Sequence, residues 1–360
     1  MPETVLVVGG GYAGIAVAKA LDDVAEVVLV DPRDRFVHNV AMLRALVDPT
    51  WTDRIFLSYD RLLERGRVIR DRAVRVDGTS VTLGSGELIR PGYLVLATGS
   101  TYPFPAKPET DDSAQVMARL HHTRAVLGEA ERVLLLGAGP VGLELAGEIK
   151  AAWPDKAVTV VDSAPDILSG RFPDEFRAVL RGQLDELGVR LVLGAALDEQ
   201  PPSEPGDAKT FSVTTQSGKK ITADVWFRCY GATPNTGYLA APLTETRLAT
   251  GHLAITPELR LPDQERVFAI GDLTALPEAK MAKAAGRHAE VVAANIRTLI
   301  GGGSELTMYQ PAAPGISLPL GPAGGASYAA EVGVLGAAQT AALKGTHLRM
   351  DSYLTLLGLR

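Results

Sequence analysis

Two glycine fingerprints of the same spacing decide most of what this chain can fold into. The first is Gly9-Gly10-Gly11-Tyr12-Ala13-Gly14 and the second is Gly137-Ala138-Gly139-Pro140-Val141-Gly142. Each follows an apolar run that reads as a buried strand, residues 5–8 and 133–136. Each opens a helix-like stretch and leads to a second apolar run ending in an acid, Asp31 in one case and Asp162 in the other. In a strand–turn–helix of this kind the first glycine (Gly9, Gly137) permits the tight turn. The second (Gly11, Gly139) lets the backbone approach a pyrophosphate, and the third (Gly14, Gly142) lets helix and strand pack closely. The helix N-terminus then offers N–H groups and a positive dipole end to an anion. The acid stands where it can accept hydrogen bonds from a ribose, with a plain strand-end cap as its other reading. One fingerprint points to a dehydrogenase. Two point to two dinucleotides held against each other, the layout of a flavoprotein reduced by a nicotinamide. The predicted fold class is α/β, with two Rossmann-like dinucleotide-binding domains and a small C-terminal α+β unit.

At 360 residues, 46% apolar and 22% charged, the chain has the make-up of a globular protein of two or three domains. No apolar run approaches the roughly 20 residues that span a bilayer. The N-terminus shows no basic segment followed by an apolar one, and Pro2 stands where a myristoylation signal needs glycine. A net charge of −6 argues against a nucleic-acid partner, which calls for clustered Lys and Arg. The single cysteine, Cys229, excludes an intramolecular disulfide, a Cys-x-x-Cys redox pair and a cysteine-ligated iron–sulfur cluster within one chain. In the strand-like run 226–230 it reads as a small buried hydrophobe. His121 and His122 are adjacent, and no metal is assigned to them or elsewhere.

Strand-like, helical and turn signals divide the chain. Residues 1–110 and 224–300 are expected to form one discontinuous dinucleotide domain, 111–223 the second, and 301–360 a C-terminal domain beyond the linker Gly301-Gly302-Gly303-Ser304. Residues 66–88 read as an antiparallel ribbon, and proline-rich 201–208 as a hairpin tip or a surface insertion between strands at 190–193 and 210–215. Helices are expected over 173–187 and about 279–300.

Five motifs follow in a fixed order: residues 9–14, Ala97-Thr98-Gly99, residues 137–144, residues 231–235 and Gly271-Asp272. In that order they resemble the two-dinucleotide flavoprotein superfamily over roughly residues 4–300. His38-Asn39-Val40-Ala41-Met42-Leu43-Arg44 occupies the place where disulfide reductases carry their redox cysteines. Together with residues 146–150, residues 277–282, Tyr309-Gln310-Pro311 and residues 341–344, this makes the chain similar to the ferroptosis suppressor protein family. These proteins are also called apoptosis-inducing-factor-like mitochondrion-associated oxidoreductases, and they are similar to type II NADH:quinone dehydrogenases. Pro2 departs from the animal members, which carry a myristoylated glycine.

The resemblance implies roles. Gly9, Gly11 and Gly14 hold the FAD pyrophosphate and Asp31 the adenosine ribose, while Ala97, Thr98 and Gly99 pack near FAD. Asp272, after Gly271, accepts a hydrogen bond from the ribityl chain, or caps the helix that follows. Lys280 and Met281 lie at a helix N-terminus facing the flavin, whose reduced anion the helix dipole stabilises. Gly137, Gly139 and Gly142 take NADH, with NADPH as a second donor. Asp162 disfavours a 2′-phosphate, and Arg171 in the loop beyond softens that preference. Glu144 stands near the nicotinamide and flavin N5, with Arg44 as its cation partner, or is a solvated helix residue. His38 is an acid–base group or a packing residue beside the flavin. Lys344 reads as solvated, with the quinone site as its other place.

The activity implied is transfer of a hydride from NADH to FAD and then of two electrons to a quinone. Two rivals stand beside it: a reductase of a ferredoxin- or rubredoxin-type carrier, and a redox-gated FAD/NADH-binding signalling protein. A cytoplasmic setting, peripheral contact with a membrane surface and a homodimer are further expectations. The apolar run 353–359 reads as that membrane contact, a dimer interface or a core strand.

Overall fold

The computed structural model describes residues 3–170 and 172–360; Pro2 and Arg171, on which two expectations fall, lie outside them. Its first sheet has five parallel strands in the order Val267–Ala269, Tyr93–Leu96, Thr4–Val8, Glu26–Asp31 and Arg67–Arg70. Both faces are covered, which is why these strands read as unbroken apolar runs rather than alternating ones. Val5 and Val7 point into one core, with the Tyr12–Leu21 and Ala282–Ile300 helices. Leu6 and Val8 point into another, beneath the antiparallel strands Ala73–Val76, Val81–Leu83 and Leu88–Ile89. The ribbon expected over 66–88 is therefore divided: Arg67–Arg70 joins the main sheet beside Glu26–Asp31, and only the later strands pair antiparallel.

The second sheet is also parallel, in the order Arg190–Val192, Ala157–Val161, Arg132–Leu136 and Val225–Arg228. Val225–Arg228 corrects the expected boundary at 224. Val225, Trp226 and Phe227 are buried against Arg132–Leu136, and the Asp224 carboxylate takes Arg132 Nη2 at 2.6 Å. The chain returns to the first sheet only after Arg228. Of the two readings of 201–208 the insertion holds, since the segment has neither strand nor helix, and the hairpin comes after it. Phe211–Thr214 pairs with Lys220–Ala223, because Phe211, Val213, Ile221 and Ala223 all face Trp226.

The C-terminal unit is a three-stranded antiparallel sheet, Gly315–Leu320, Gly324–Ala329 and Gly333–Leu335, pressed onto the Pro140–Ala152 helix. That helix is buried almost all round. Gly147 makes the close approach feasible: a Cβ there would stand 2.4 Å from Leu320 Cα. After left-handed Leu348 and Arg349 (φ 48° and 62°), the last helix, Met350–Leu356, returns to the Tyr12–Leu21 helix. The run 353–359 is thus helix and turn rather than a strand. Leu357 is fully buried, and Leu354, Leu356 and Leu359 pack on the core. Among the described residues no helix is long and apolar enough to cross a membrane.

Candidate functional site

The two fingerprints fold alike down to their hydrogen bonds. Gly9 and Gly137 take φ of 107° and 114°, a region closed to most L-residues. A Cβ on Gly14 would stand 1.8 Å from Gly9 O, and one on Gly142 1.9 Å from Gly137 O, so both helices sit directly on their turns. Around Gly11 and Gly139 the reverse holds: a Cβ on either would meet nothing within 4 Å. Both are helix N-caps with no side-chain cap. Each helix therefore presents free amides and a positive dipole end to an open cradle, the arrangement a pyrophosphate needs. Beside the first fingerprint, Arg33 Nε and Asn39 Oδ1 are buried with no partner among the described residues, as expected of groups that face a polar ligand. The residues present fit a dinucleotide at both turns.

Asp31 and Asp162 cap their strand ends, and each makes a second bond, into its glycine turn, that the sequence does not show. Asp31 Oδ2 accepts the Gly10 N–H at 2.6 Å and Oδ1 the Arg33 N–H at 2.9 Å. Asp162 does the same with Ala138 and Ala164, at 2.6 and 2.8 Å. Each acid fastens the middle of its glycine turn to the end of the next strand. Asp31 is buried, and burial raises its pKa against the pull of Arg33 and two backbone amides.

Ala97, Thr98 and Gly99 follow the central strand Tyr93–Leu96, and Ala97 O lies where a Cβ on Gly9 would collide, at 2.5 Å. Thr98 Oγ1 donates to Asn235 O at 2.7 Å, and Asn235 Nδ2 donates to Thr98 O at 3.0 Å. This ties together the two crossings between domains. Gly271 takes φ 73°, and Asp272 follows. Its Oδ2 accepts Ser100 Oγ at 2.5 Å and Lys107 Nζ at 3.1 Å. Burial alone would raise the Asp272 pKa, but Lys107 and Ser100 outweigh it and hold the carboxyl below its usual range. Lys107 was missed in the sequence because it lies in a proline-rich stretch that reads as a linker. Met281 is the N-cap of Ala282–Ile300, and Lys280, just before it, donates to Leu276 O at 2.9 Å. Burial lowers the Lys280 pKa.

On the Pro140–Ala152 helix the expected pairing changes. Arg44 is not the partner of Glu144. Arg44 Nε and Nη2 reach Glu148, one turn later, at 2.5 and 2.8 Å, and Nη2 also donates to Gly345 O at 2.9 Å. Both side chains are about 5% exposed or less, so Arg44 serves as a buried clamp rather than an open cofactor contact. Glu144 instead pairs with Lys344, at 2.6 Å. Lys344 is not solvated: its Nζ also donates to Ser317 O at 3.2 Å. Residues 44, 148 and 345 belong to three different units, and the clamp joins them.

His38 is fully buried. Its Nε2 stands 2.7 Å from Leu348 O, which requires the proton on Nε2; Nδ1 then accepts from the Tyr12 hydroxyl at 3.2 Å. Tyr353 lies over it, with ring centroids 4.9 Å from His38 and 4.8 Å from Tyr12. Burial pulls the His38 pKa from 6.5 to about 4. The ring is neutral at pH 7. The unfolded chain takes up this proton near 6.5 and the folded one near 4, so His38 favours the fold fully above pH 6.5. That contribution, about 3 kcal/mol, is lost as pH falls through this window. Denaturant titrations at pH 7 and pH 4 should show wild type losing about that much more than His38→Asn.

A family model described as pyridine nucleotide-disulphide oxidoreductase matches residues 3–289. Apoptosis-inducing factor homolog B of Dictyostelium discoideum is 29% identical, over 99% of this chain and 97% of its own. Ferroptosis suppressor protein 1 of Taeniopygia guttata is 34% identical, over 81% of this chain and 79% of its own. The sulfide:quinone oxidoreductase of Aquifex aeolicus, 16% identical, superimposes with a TM-score of 0.76 over 99% of this chain and 91% of that one. At that identity the likeness concerns the fold alone.

Proposed function

The chain belongs to the pyridine nucleotide-disulphide oxidoreductase family, and from that premise we propose that it is an NADH:quinone oxidoreductase. Dependence on FAD and NAD(P)H comes with the family and with the ferroptosis suppressor protein 1 relatives; the quinone acceptor and the preference for NADH are the proposal. Its main support is the roof of the site. Where disulfide reductases carry a cysteine pair, this chain has His38, covered by Tyr353 and Leu348 of the C-terminal unit. The one cysteine, Cys229, is buried elsewhere, and burial pushes its thiol up to about 12. Electrons would then leave beside a cluster of aromatic rings, Tyr12, Phe36 and Tyr353 around His38, rather than through a thiol relay, which suits a planar ring acceptor.

Bound FAD supplies the chemistry, accepting a hydride and passing on two electrons. The chain's residues supply position and field. Gly11 and the amides after it would hold the FAD pyrophosphate, and Asp272, kept ionised by Lys107, would orient the ribityl chain. Gly139 would admit the pyrophosphate of NADH. Lys344 fixes Glu144 on the helix that faces the C-terminal unit, and His38, locked as the Nε2–H tautomer, keeps charge out of the roof.

The test is anaerobic stopped-flow: reduction by NADH, mixing with a short-chain quinone, and return of oxidised-flavin absorbance. Rapid return supports the reading; return with a ferredoxin but not with quinone overturns it. NADH is expected to exceed NADPH in kcat/KM by about tenfold or more, because like charges set against each other cost several kcal/mol and Asp162 would face the 2′-phosphate. Equal efficiencies would remove the role given to Asp162.

A further inference from the structure

The Ala282–Ile300 helix carries a polar chain that the proposed chemistry leaves unused. His288, on that helix, is 1% exposed. Its Nδ1 accepts the Gly271 N–H at 3.0 Å, and its Nε2 lies 2.7 Å from Glu278 Oε1. A ring nitrogen that accepts an amide N–H carries no proton, so the proton sits on Nε2 and is donated to Glu278. The Tyr309 hydroxyl donates to the same carboxylate, 3.0 and 2.9 Å from its two oxygens, and its ring stands edge-on to His288 at 4.5 Å. Arg287 Nη2 closes the group, 3.3 Å from Glu278 Oε2. The far end of this chain is the left-handed Gly271, whose neighbour Asp272 carries the carboxylate held by Ser100 and Lys107.

We propose that Glu278 and His288 are positioning residues for FAD: Glu278 holds His288 as the Nε2–H tautomer, whose Nδ1 then fixes the Gly271 amide and so the aim of the Asp272 carboxylate. This rests on the reading of Asp272 as an FAD contact. Tyr309 follows the Gly301-Gly302-Gly303 linker, so the same carboxylate ties the start of the C-terminal unit to the cofactor turn.

The arrangement has a particular pH signature. A protonated His288 has no lone pair for Gly271, so FAD is released when the ring takes up a proton. Burial lowers the His288 pKa and Lys280 and Arg287 lower it further, while Glu278 raises it. Tyr309, the other titratable group against the ring, keeps its proton, since burial pushes its pKa well up. Release therefore falls on the acid side of the ordinary histidine range. Glu278→Gln keeps an oxygen for Nε2–H but removes the charge that favours imidazolium. It moves half-release to lower pH, whereas simple structural damage would move it to higher pH.

The experiment is FAD titration of the full-length apoprotein from pH 4.5 to 8, read by flavin fluorescence, with thermal melts of the same samples. His288→Gln reaches Glu278 but offers Gly271 no acceptor. His288→Asn places Oδ1 near where Nδ1 was. At pH 7.5, His288→Gln is expected to weaken FAD about tenfold or more, and His288→Asn by less than about threefold, since only the first leaves a buried amide unpaired. Equal weakening by the two, or a Glu278→Gln shift of half-release to higher pH, overturns the inference. Asp272→Asn separates the levels. If it binds FAD as wild type does, the underlying reading falls and the inference with it. If it weakens FAD while His288→Gln does not, the positioning role alone falls.

Discussion

Arg44→Ala is expected to destabilise the protein by about 3–5 kcal/mol at pH 8, the cost of leaving one member of a buried ion pair without its partner. Arg44 is the sole cation whose hydrogen bonds reach Glu148 among the described residues, and the carboxylate is 3% exposed. Burial raises the Glu148 pKa even with Arg44 in place. Without the guanidinium that pKa rises further, and the folded state takes a proton that the unfolded chain gives up near its ordinary value. The deficit relative to wild type at the same pH must then shrink as pH is lowered towards 5.5. Denaturant midpoints of both proteins at pH 8 and pH 5.5 measure it. Arg44→Met with Glu148→Leu should regain most of the loss, because two well-packed apolar groups replace a pair whose desolvation is costly. Activity follows a separate course. Arg44 also holds Gly345 O, one residue from the lysine that pairs with Glu144, so both variants loosen that lysine. A single-variant cost under about 1 kcal/mol would mean that the three units are joined elsewhere.

This clamp shows where the sequence stops being legible. Glu144 and Glu148 are four residues apart, and helical geometry puts them on one face. The sequence could say that this face meets a cation; which acid meets which cation depends on how three separate units dock. Lys344 looked solvated because a lone lysine near a chain terminus usually is. It is half-buried because it stands in a π-helical turn, Ala341–Gly345, directly beneath the Gly315–Leu320 strand. The apolar run 353–359 was ambiguous for another reason: seven residues are too few for periodicity to separate strand from helix. What was legible was local and repeated. The α/β class, with two glycine turns each between a buried strand and a helix, followed from residues that contact one another within a few dozen positions. Lys107, Glu278, His288 and Tyr309 meet their partners only through tertiary structure; Lys107 and His288 lie in no motif, and the motifs that contain Glu278 and Tyr309 do not say that the two meet.

Gly139→Val is expected to leave the fold and bound FAD intact and to lower kcat/KM for NADH on the order of 100-fold, the loss that follows when a reactant is held about 1 Å out of place. The backbone at Gly139 is extended (φ −79°, ψ −177°), a conformation valine adopts readily, and a Cβ there meets no protein atom within 4 Å. The folded state therefore has little reason to object. Under the proposed function, the space the side chain fills is the one the NADH pyrophosphate would take. Gly142→Val is the control for the other kind of glycine: its Cβ would strike Gly137 O at 1.9 Å, so it should unfold the turn and lower the melting temperature. Gly11→Val is the mirror experiment in the first domain, where the proposed function gives the same open cradle to FAD, and it should yield protein without bound flavin. In Gly139→Val, dithionite should still reduce the flavin at the wild-type rate while NADH does so on the order of 100-fold less efficiently. If NADH reduces it normally, the nicotinamide does not enter over the second fingerprint, and the division of labour between the two glycine turns is wrong.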